Sequence, residues 1–467
     1  MIRRAGISRL SLGQTIAYAG INTPAAILQV PVLSVLPALY AKYSHIPLVL
    51  LGTILLTTRV LDAVIDPVIG YLSDRTRSRY GRRKPWIAAG VVVSALATYF
   101  SFRPSGSTGA SYFLVWSALL YIGWTLMEIP HTAWVNDLTH DYDERSRLVT
   151  YRYVAGLAGS IIFLGIPLLP IFPTTAMTPA AMAVTSWIVI GLLPVTALLA
   201  FRLVPARGAS APTHSSLRDT WAELSGNKPL RRYLVMRAAS GLSTGMIASL
   251  YFFYLDRYLG LLSRYSHLNL AAIAFGIIGS SVWLRAMYRV GKPHAVALSS
   301  GAVILTLVAW SLMRPGPYIF IIALVVWSLS ALGNTGVETA SYALLSDVVD
   351  YGTLKSGENR AGNYWALLAF IQKVAIAAGG GIALILIGLF GFHPDAGHVN
   401  GPLAMDGFFL TFIYIPIALN LLALVIAWRF PIDRRRHDIV RRRIEAREKR
   451  AALAEMHPLS MQESVFP

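Results

Sequence analysis

The sequence predicts an all-α integral membrane protein of about twelve transmembrane helices, arranged as two six-helix halves with both termini in the cytoplasm. Three observations lead there. Of 467 residues, 55% are hydrophobic and only 14% charged, far from the balance of a soluble domain. Apolar stretches of about 20 residues, long enough to cross a hydrocarbon core of roughly 30 Å, recur along the whole chain. Lysine and arginine are concentrated in alternate loops, the asymmetry that marks the cytoplasmic side of a membrane protein.

In order, the expected spans are 12–41, 46–73, 85–102, 112–136, 150–171, 181–203, 233–259, 268–287, 294–313, 317–346, 362–391 and 407–428. The first follows Arg3, Arg4 and Arg9. It is too long, and too interrupted by Gln14, Asn22 and Gln29, to be a cleaved signal peptide. The loop after the second span carries Arg75, Arg77, Arg79, Arg82, Arg83 and Lys84, and the loops after the fourth, sixth and eighth are also basic. The opposite loops hold few such residues, among them Lys42, Arg103 and Arg257. Residues 204–230 are the longest polar interruption and read as a linker between an N-terminal half, 1–203, and a C-terminal half, 231–428. Residues 429–467 are a basic tail that reads as a cytoplasmic helix, either lying on anionic lipid or simply solvated.

The formal charge of +18 would suggest nucleic acid in a soluble chain. Here it is explained by topology, so no nucleic-acid partner is expected. Cysteine is absent, which removes disulfides, thiolate metal sites and cysteine nucleophiles. No nucleophile and base pair, metal-ligand spacing or nucleotide motif is found, so neither an enzyme, a cofactor nor an ATP-driven pump is expected. His131 and His140 read as structural, and Gly379, Gly380 and Gly381 as sites of close helix contact.

The two halves repeat. Arg79-Tyr-Gly81-Arg82 returns as Arg289-Val-Gly291-Lys292, and Asp137-Leu-Thr-His-Asp141 returns loosely as Asp347-Val-Val-Asp350. The steps 81 to 291 and 137 to 347 are both 210 residues, as parallel repeats of six spans require. These charges have two readings. Arg79, Arg82, Asp137, Asp141, Arg289, Asp347 and Asp350 could form a cytoplasmic gate that pairs when that side closes and separates when it opens. Equally, they could anchor helix ends and set topology.

Inside the membrane, Arg59, Asp62 and Asp66 share one face of the second span. A charge at the bilayer centre costs at least roughly 2.5 to 3.5 kcal/mol, so each demands a partner or a function. Two carboxylates one turn apart can hold one Na⁺ or share one proton. Thr125 and Glu128 share a face of the fourth span, and Asn334, Glu338 and Tyr342 make a polar stripe on the tenth, expected to line a cavity. Trp124, Trp134, Tyr153, Tyr364 and Trp365 are available to stack under a sugar ring, although most such residues are belt or packing groups.

The stretch Arg59-x-x-Asp62-Ala-x-x-Asp66-Pro-x-x-Gly70, continuing as Asp74-Arg75-Thr-Arg77-Ser-Arg79-x-Gly81-Arg82-x-Lys84-Pro-Trp86, resembles the glycoside-pentoside-hexuronide:cation symporters, the melibiose-permease-like branch of the major facilitator superfamily. The resemblance implies the major facilitator fold, a cation site at Asp62, Asp66, Thr125 and Glu128, and Arg59 as a charge partner. It further implies substrate contacts from Asn22, Glu128, Arg152, Glu338 and Lys373, with Trp134 near the expected stacking position. Several positions depart from the family. Asn22 stands for an Asp, Thr132 and Glu338 for tryptophans, and Ile65 for an amide that can ligate sodium. The loss of that amide favours H⁺ over Na⁺. The implied function is a monomeric secondary symporter of a bacterial inner membrane, importing a sugar, glycoside or uronate with H⁺ or Na⁺. The alternatives are a lysolipid or other amphiphile as cargo, or uncoupled sugar movement.

Overall fold

The computed structural model describes residues 9–104, 107–139, 141–205, 226–357, 361–395 and 398–462. His140 and residues 206–225 of the expected linker lie outside the described residues. Within them the chain is helical throughout, with no strand. Ten helices are long and apolar enough to cross a bilayer, and the first span adds an eleventh as a pair bent by 45°. Pro31 lies inside that first span, where it removes a backbone donor and crowds the preceding turn. The remaining expected span, Lys84–Ser101, is an 18-residue helix that opens with Lys-Pro-Trp and so falls short in apolarity rather than in helicity.

The second span is Leu48–Arg75, the fourth Ala110–Leu138, the fifth Tyr142–Gly165 and the sixth Pro179–Leu203. In the other half the seventh is Lys228–Phe253, the eighth Tyr265–Val290, the ninth Lys292–Leu312, the tenth Ile319–Ser356 and the eleventh Ala361–Leu389. The twelfth starts at Pro402–Phe409 and resumes as Ile415–Trp428. Small residues set how closely these helices approach. A Cβ on Gly245 would sit 1.8 Å from the Ile376 carbonyl oxygen, so the seventh and eleventh spans touch backbone to backbone there. Likewise a Cβ on Gly52 would sit 2.5 Å from the Gly381 carbonyl oxygen, which brings the second span against the eleventh across the two halves.

The two ends of the molecule differ. At the face opposite the arginine-rich loops, bonds tie one half to the other. Lys42 pairs with Asp256 at 2.8 Å, Ser34 shares a hydrogen bond with Tyr265 at 3.2 Å, and Thr175 donates to the Ser263 carbonyl at 2.6 Å. At the arginine-rich face, ion pairs among the described residues join groups of one half. Arg82 and Arg83 both grip Asp137, and Lys292 grips Asp347.

That placement bears on the expected gate. Each of these pairs joins residues of one half, and both are formed in this structure. The other residues are likewise accounted for locally. Asp141 caps the fifth span by accepting from the Glu144 amide at 2.8 Å. Arg79 lies over its neighbour Tyr80, 4.7 Å from the ring centre, and Arg289 makes no ion pair among the described residues. These local contacts are also what anchoring of the helix ends requires.

The tail helix, Arg434–Gln462, turns back onto the tenth span. His437 reaches Asp350 at 2.9 Å and Asp347 at 3.4 Å. Gly357 ends the tenth span with φ of 81°, a left-handed cap that glycine adopts without strain. The Arg447 guanidinium fills the space where a side chain on Gly357 would stand.

Candidate functional site

Between the halves lies a cavity of about 990 Å³. Its walls run from Arg59, Tyr121 and Trp124 near the helix centres to Asn136 and Gly362 at the arginine-rich ends. It therefore opens towards that face, while the opposite face is tied shut.

Arg59, Asp66 and Lys373 line the cavity, and Asp62 and Thr125 lie buried directly behind them. The Thr125 hydroxyl lies 2.8 Å from Asp62 Oδ1 and 3.0 Å from Asp66 Oδ1, so one proton serves two carboxylates. From across the interface, Lys373 Nζ stands 2.5 Å from Asp66 Oδ2 and 2.7 Å from Asp62 Oδ2. The Gly52 and Gly381 contact explains this reach, since it brings the eleventh span against the second. Arg59 Nη1 lies 3.6 Å from Asp62 Oδ2, and its guanidinium rests 4.1 Å over the Tyr121 ring. Asp62 is only 2% exposed, and its Oδ2 faces both cations. Two acids and two bases make the cluster neutral as it stands. Pro67, one residue after Asp66, has no N–H for the Ala63 carbonyl and leaves that oxygen free of its helical partner.

A second charge pair flanks the cavity in the same half. Arg152 of the fifth span bonds Glu128, which also accepts from Thr132 at 3.3 Å. Asn22 gives its amide to the Arg152 backbone carbonyl at 3.0 Å, tying the first span to the fifth. A third pair lies in the other half. Arg237 Nη2 donates to both Glu338 oxygens, at 2.9 and 2.8 Å, and Gln372 Nε2 stands 3.2 Å from each.

The structure thus gathers Asp62, Asp66, Thr125, Arg59 and Lys373, and places Glu128, bonded by Arg152, on the same cavity. Other expected residues lie elsewhere. Trp134 is 2% exposed, packed against Tyr18 and Phe201 with the Lys84 ammonium over its ring, so it is a core residue of the N-terminal half. Tyr364 accepts from Asn227 and Tyr153 faces outward, whereas Trp124 and Trp365 do line the cavity. The polar stripe is divided. Asn334 faces a second cavity of about 820 Å³ between the fifth, eighth and tenth spans, and Tyr342 stacks on Trp365. Arg237 is the residue that sequence reading missed. It lies ten residues into a helix that begins with Lys228, Arg231 and Arg232, and it blends with them unless its depth is counted. No group of three or more His, Asp or Glu side chains able to hold a metal ion occurs among the described residues.

Comparison with known proteins agrees with this architecture. The chain is 24% identical to the glucuronide carrier protein homolog of Escherichia coli strain K12, over 85% of this chain and 87% of that one. It is 23% identical to the isoprimeverose transporter of Lactiplantibacillus pentosus, over 81% and 80% of the two chains. The crystal structure of the nucleoside transporter NupG superposes with a TM-score of 0.63 at 11% identity, covering 89% of this chain and 97% of that one, a likeness of fold alone. The family described as MFS/sugar transport protein matches residues 17–434, from the first span through the twelfth. On that extent of match, the chain belongs to this family of membrane transporters, and it is not an enzyme.

Proposed function

We propose that the protein is a secondary symporter of a bacterial inner membrane that carries a sugar or glycoside with a cation by alternating access. One observation carries the reading: Asp66 and Lys373 meet on the wall of a cavity that opens to one face, with Asp62 and Thr125 bonded to them directly behind it. Relatives named as a glucuronide carrier homolog, an isoprimeverose transporter and a lactose permease supply the cargo class. One from Escherichia coli is named an inner membrane symporter, which supplies the membrane.

The geometry suggests how coupling works. With Lys373 seated between the aspartates, the cluster is electrically satisfied and holds no further cation. A cation entering from the opposite face takes the place of the ammonium, and Lys373 ejects it once the cavity opens to the arginine-rich face. Linkage requires that if the cation raises sugar affinity, the sugar raises cation affinity by the same factor. A proton needs only one carboxylate, whereas sodium needs several oxygens, and Ile65 supplies none. The coupling ion is therefore H⁺, with the freed Ala63 carbonyl the one backbone oxygen that argues for Na⁺.

The test is uptake of neutral glycosides, pentoses and uronates into vesicles under an imposed proton or sodium gradient, beside Asp66→Asn. Proton-driven accumulation that the variant lacks is the expected result. Sodium-driven uptake would overturn the ion but keep the site. Accumulation by the variant equal to that of the parent would remove the site.

One feature favours an amphiphile instead. The second cavity is lined by Tyr153 and Ile277, exposed side chains on helices long and apolar enough to span a membrane. Failure of every sugar in the uptake assay, with transfer of a fluorescent lysolipid between vesicles, would support that reading.

A further inference from the structure

The second cavity, of about 820 Å³, shares no lining residue with the central one. The first and fifth spans of the N-terminal half contribute Ser34 and Ser160 among others, and the seventh to tenth spans of the C-terminal half contribute the remainder. Ser34 and Tyr265, whose hydrogen bond ties the halves together, both belong to this lining. Parting of the halves at the face opposite the arginine-rich loops would break that bond and divide the wall. The cavity is therefore whole only while that face is closed.

No charged side chain lines it among the described residues. Its polar groups turn their donors back to the helices that carry them. Asn269 and Asn334 give an amide hydrogen to the Tyr265 and Ser330 carbonyls, at 2.8 and 2.9 Å. With the nitrogen turned to the helix, each amide oxygen is turned away from it, and no described group donates to either. Neither asparagine is buried, so a ligand can reach them. Thr244, Ser280, Thr306 and Thr335 likewise donate to carbonyls three or four residues back, as hydroxyls in helices do. What the cavity offers is chiefly oxygen lone pairs.

Aromatic rings supply the other part of the wall. Tyr251 and Trp327 stack with centres 4.0 Å apart and planes 10° apart, and Trp310 lies 4.9 Å from Trp327. A flat apolar body suits these rings, and hydrogen-bond donors at its edge suit the asparagine oxygens. A phosphate or carboxylate suits neither, since it brings charge and only accepts. A phenol combines what the wall asks for, an aromatic ring and an O–H.

We infer that this second cavity is a modulatory site, separate from the cargo path, for an uncharged phenolic molecule, and that its occupant holds the face opposite the arginine-rich loops closed. A ligand that binds one of two states better shifts the population towards that state by its differential affinity. Here the differential comes from a wall that both halves build together. The inference goes beyond the symport reading and does not require the cargo to be a sugar.

The test is equilibrium dialysis of the purified full-length protein with p,p′-biphenol. Two matched probes accompany it: its dimethyl ether, which keeps the body and loses the donors, and the corresponding biphenyl dicarboxylate, which is charged. The biphenol should bind roughly tenfold or more tightly than either, and should lose about that much in Asn269→Leu with Asn334→Leu, as loss of one or two hydrogen bonds predicts. It should also speed disulfide formation in Lys42→Cys with Asp256→Cys, made in a chain that has no other cysteine, because closure of that face brings the two positions together. Equal binding of the dimethyl ether by the parent, a comparison that needs no variant, would reduce the site to apolar partitioning and overturn it. So would equal binding of the dicarboxylate, unaltered binding in the asparagine variant, or no binding of the biphenol at all. Displacement by lactose would return the cavity to the cargo path, and unchanged disulfide formation would remove the conformational bias. None of these readouts depends on sugar uptake, so failure of the symport reading would leave them standing.

Discussion

Thr125 has one proton to give and two aspartate oxygens within 3.0 Å. Whichever carboxylate receives it, the other leans on Lys373, so the hydroxyl arbitrates between the two. Thr125→Val removes it and leaves two largely buried acids short of a donor, a loss of about 1–3 kcal/mol by the usual cost of an unmade buried hydrogen bond. Gradient-driven uptake should fall several-fold in Thr125→Val and largely return in Thr125→Ser. Equal uptake by the valine variant would show the hydroxyl to be incidental. This cluster was legible because spacing on a helix fixes which residues share a face. Spacing fixes an angle, however, and not a neighbour. Trp134 is therefore misread as a stacking residue, while Arg237, whose partner is 101 positions away in the chain, goes unnoticed.

Among elements, the tail helix shows what repetition conceals. Asp137 is held by Arg82 and Arg83, and the step of 210 carries these to Asp347, Lys292 and Pro293. Proline cannot serve, and His437 from the tail stands in for the missing arginine, 3.4 Å from Asp347 and 2.9 Å from Asp350. Docking the tail thereby completes a lock that the N-terminal half builds from its own loop. His437→Ala should speed amide exchange across residues 434–447, and His437→Arg should keep it slow. Unchanged exchange in the alanine variant would mean that Arg447 at Gly357 holds the helix alone. Composition announces a basic tail, but it does not reveal where the tail docks.

For the whole molecule, most of the fold could be read from hydropathy, because a bilayer admits only helices long enough to cross it with their backbone bonds satisfied. Which face is closed could not, since it rests on long-range bonds such as Lys42 to Asp256. The chain has no cysteine, so Lys42→Cys with Asp256→Cys gives a clean pair for cross-linking. Bridging them should stop uptake, and reduction should restore it. Continued uptake in the bridged protein would show that this face does not need to part.

The acid cluster has no twin. The step that carries Thr125 to Thr335 carries Asp62 to Ala272 and Asp66 to Gly276, and the second cavity borders those small residues. On the proposed symport, if this one pair takes up one cation per cycle and the cargo is uncharged, one elementary charge crosses the membrane in each turnover. The turnover is then electrical as well as chemical. Each 100 mV of membrane potential contributes about 2.3 kcal/mol, enough by itself to concentrate the cargo roughly fortyfold.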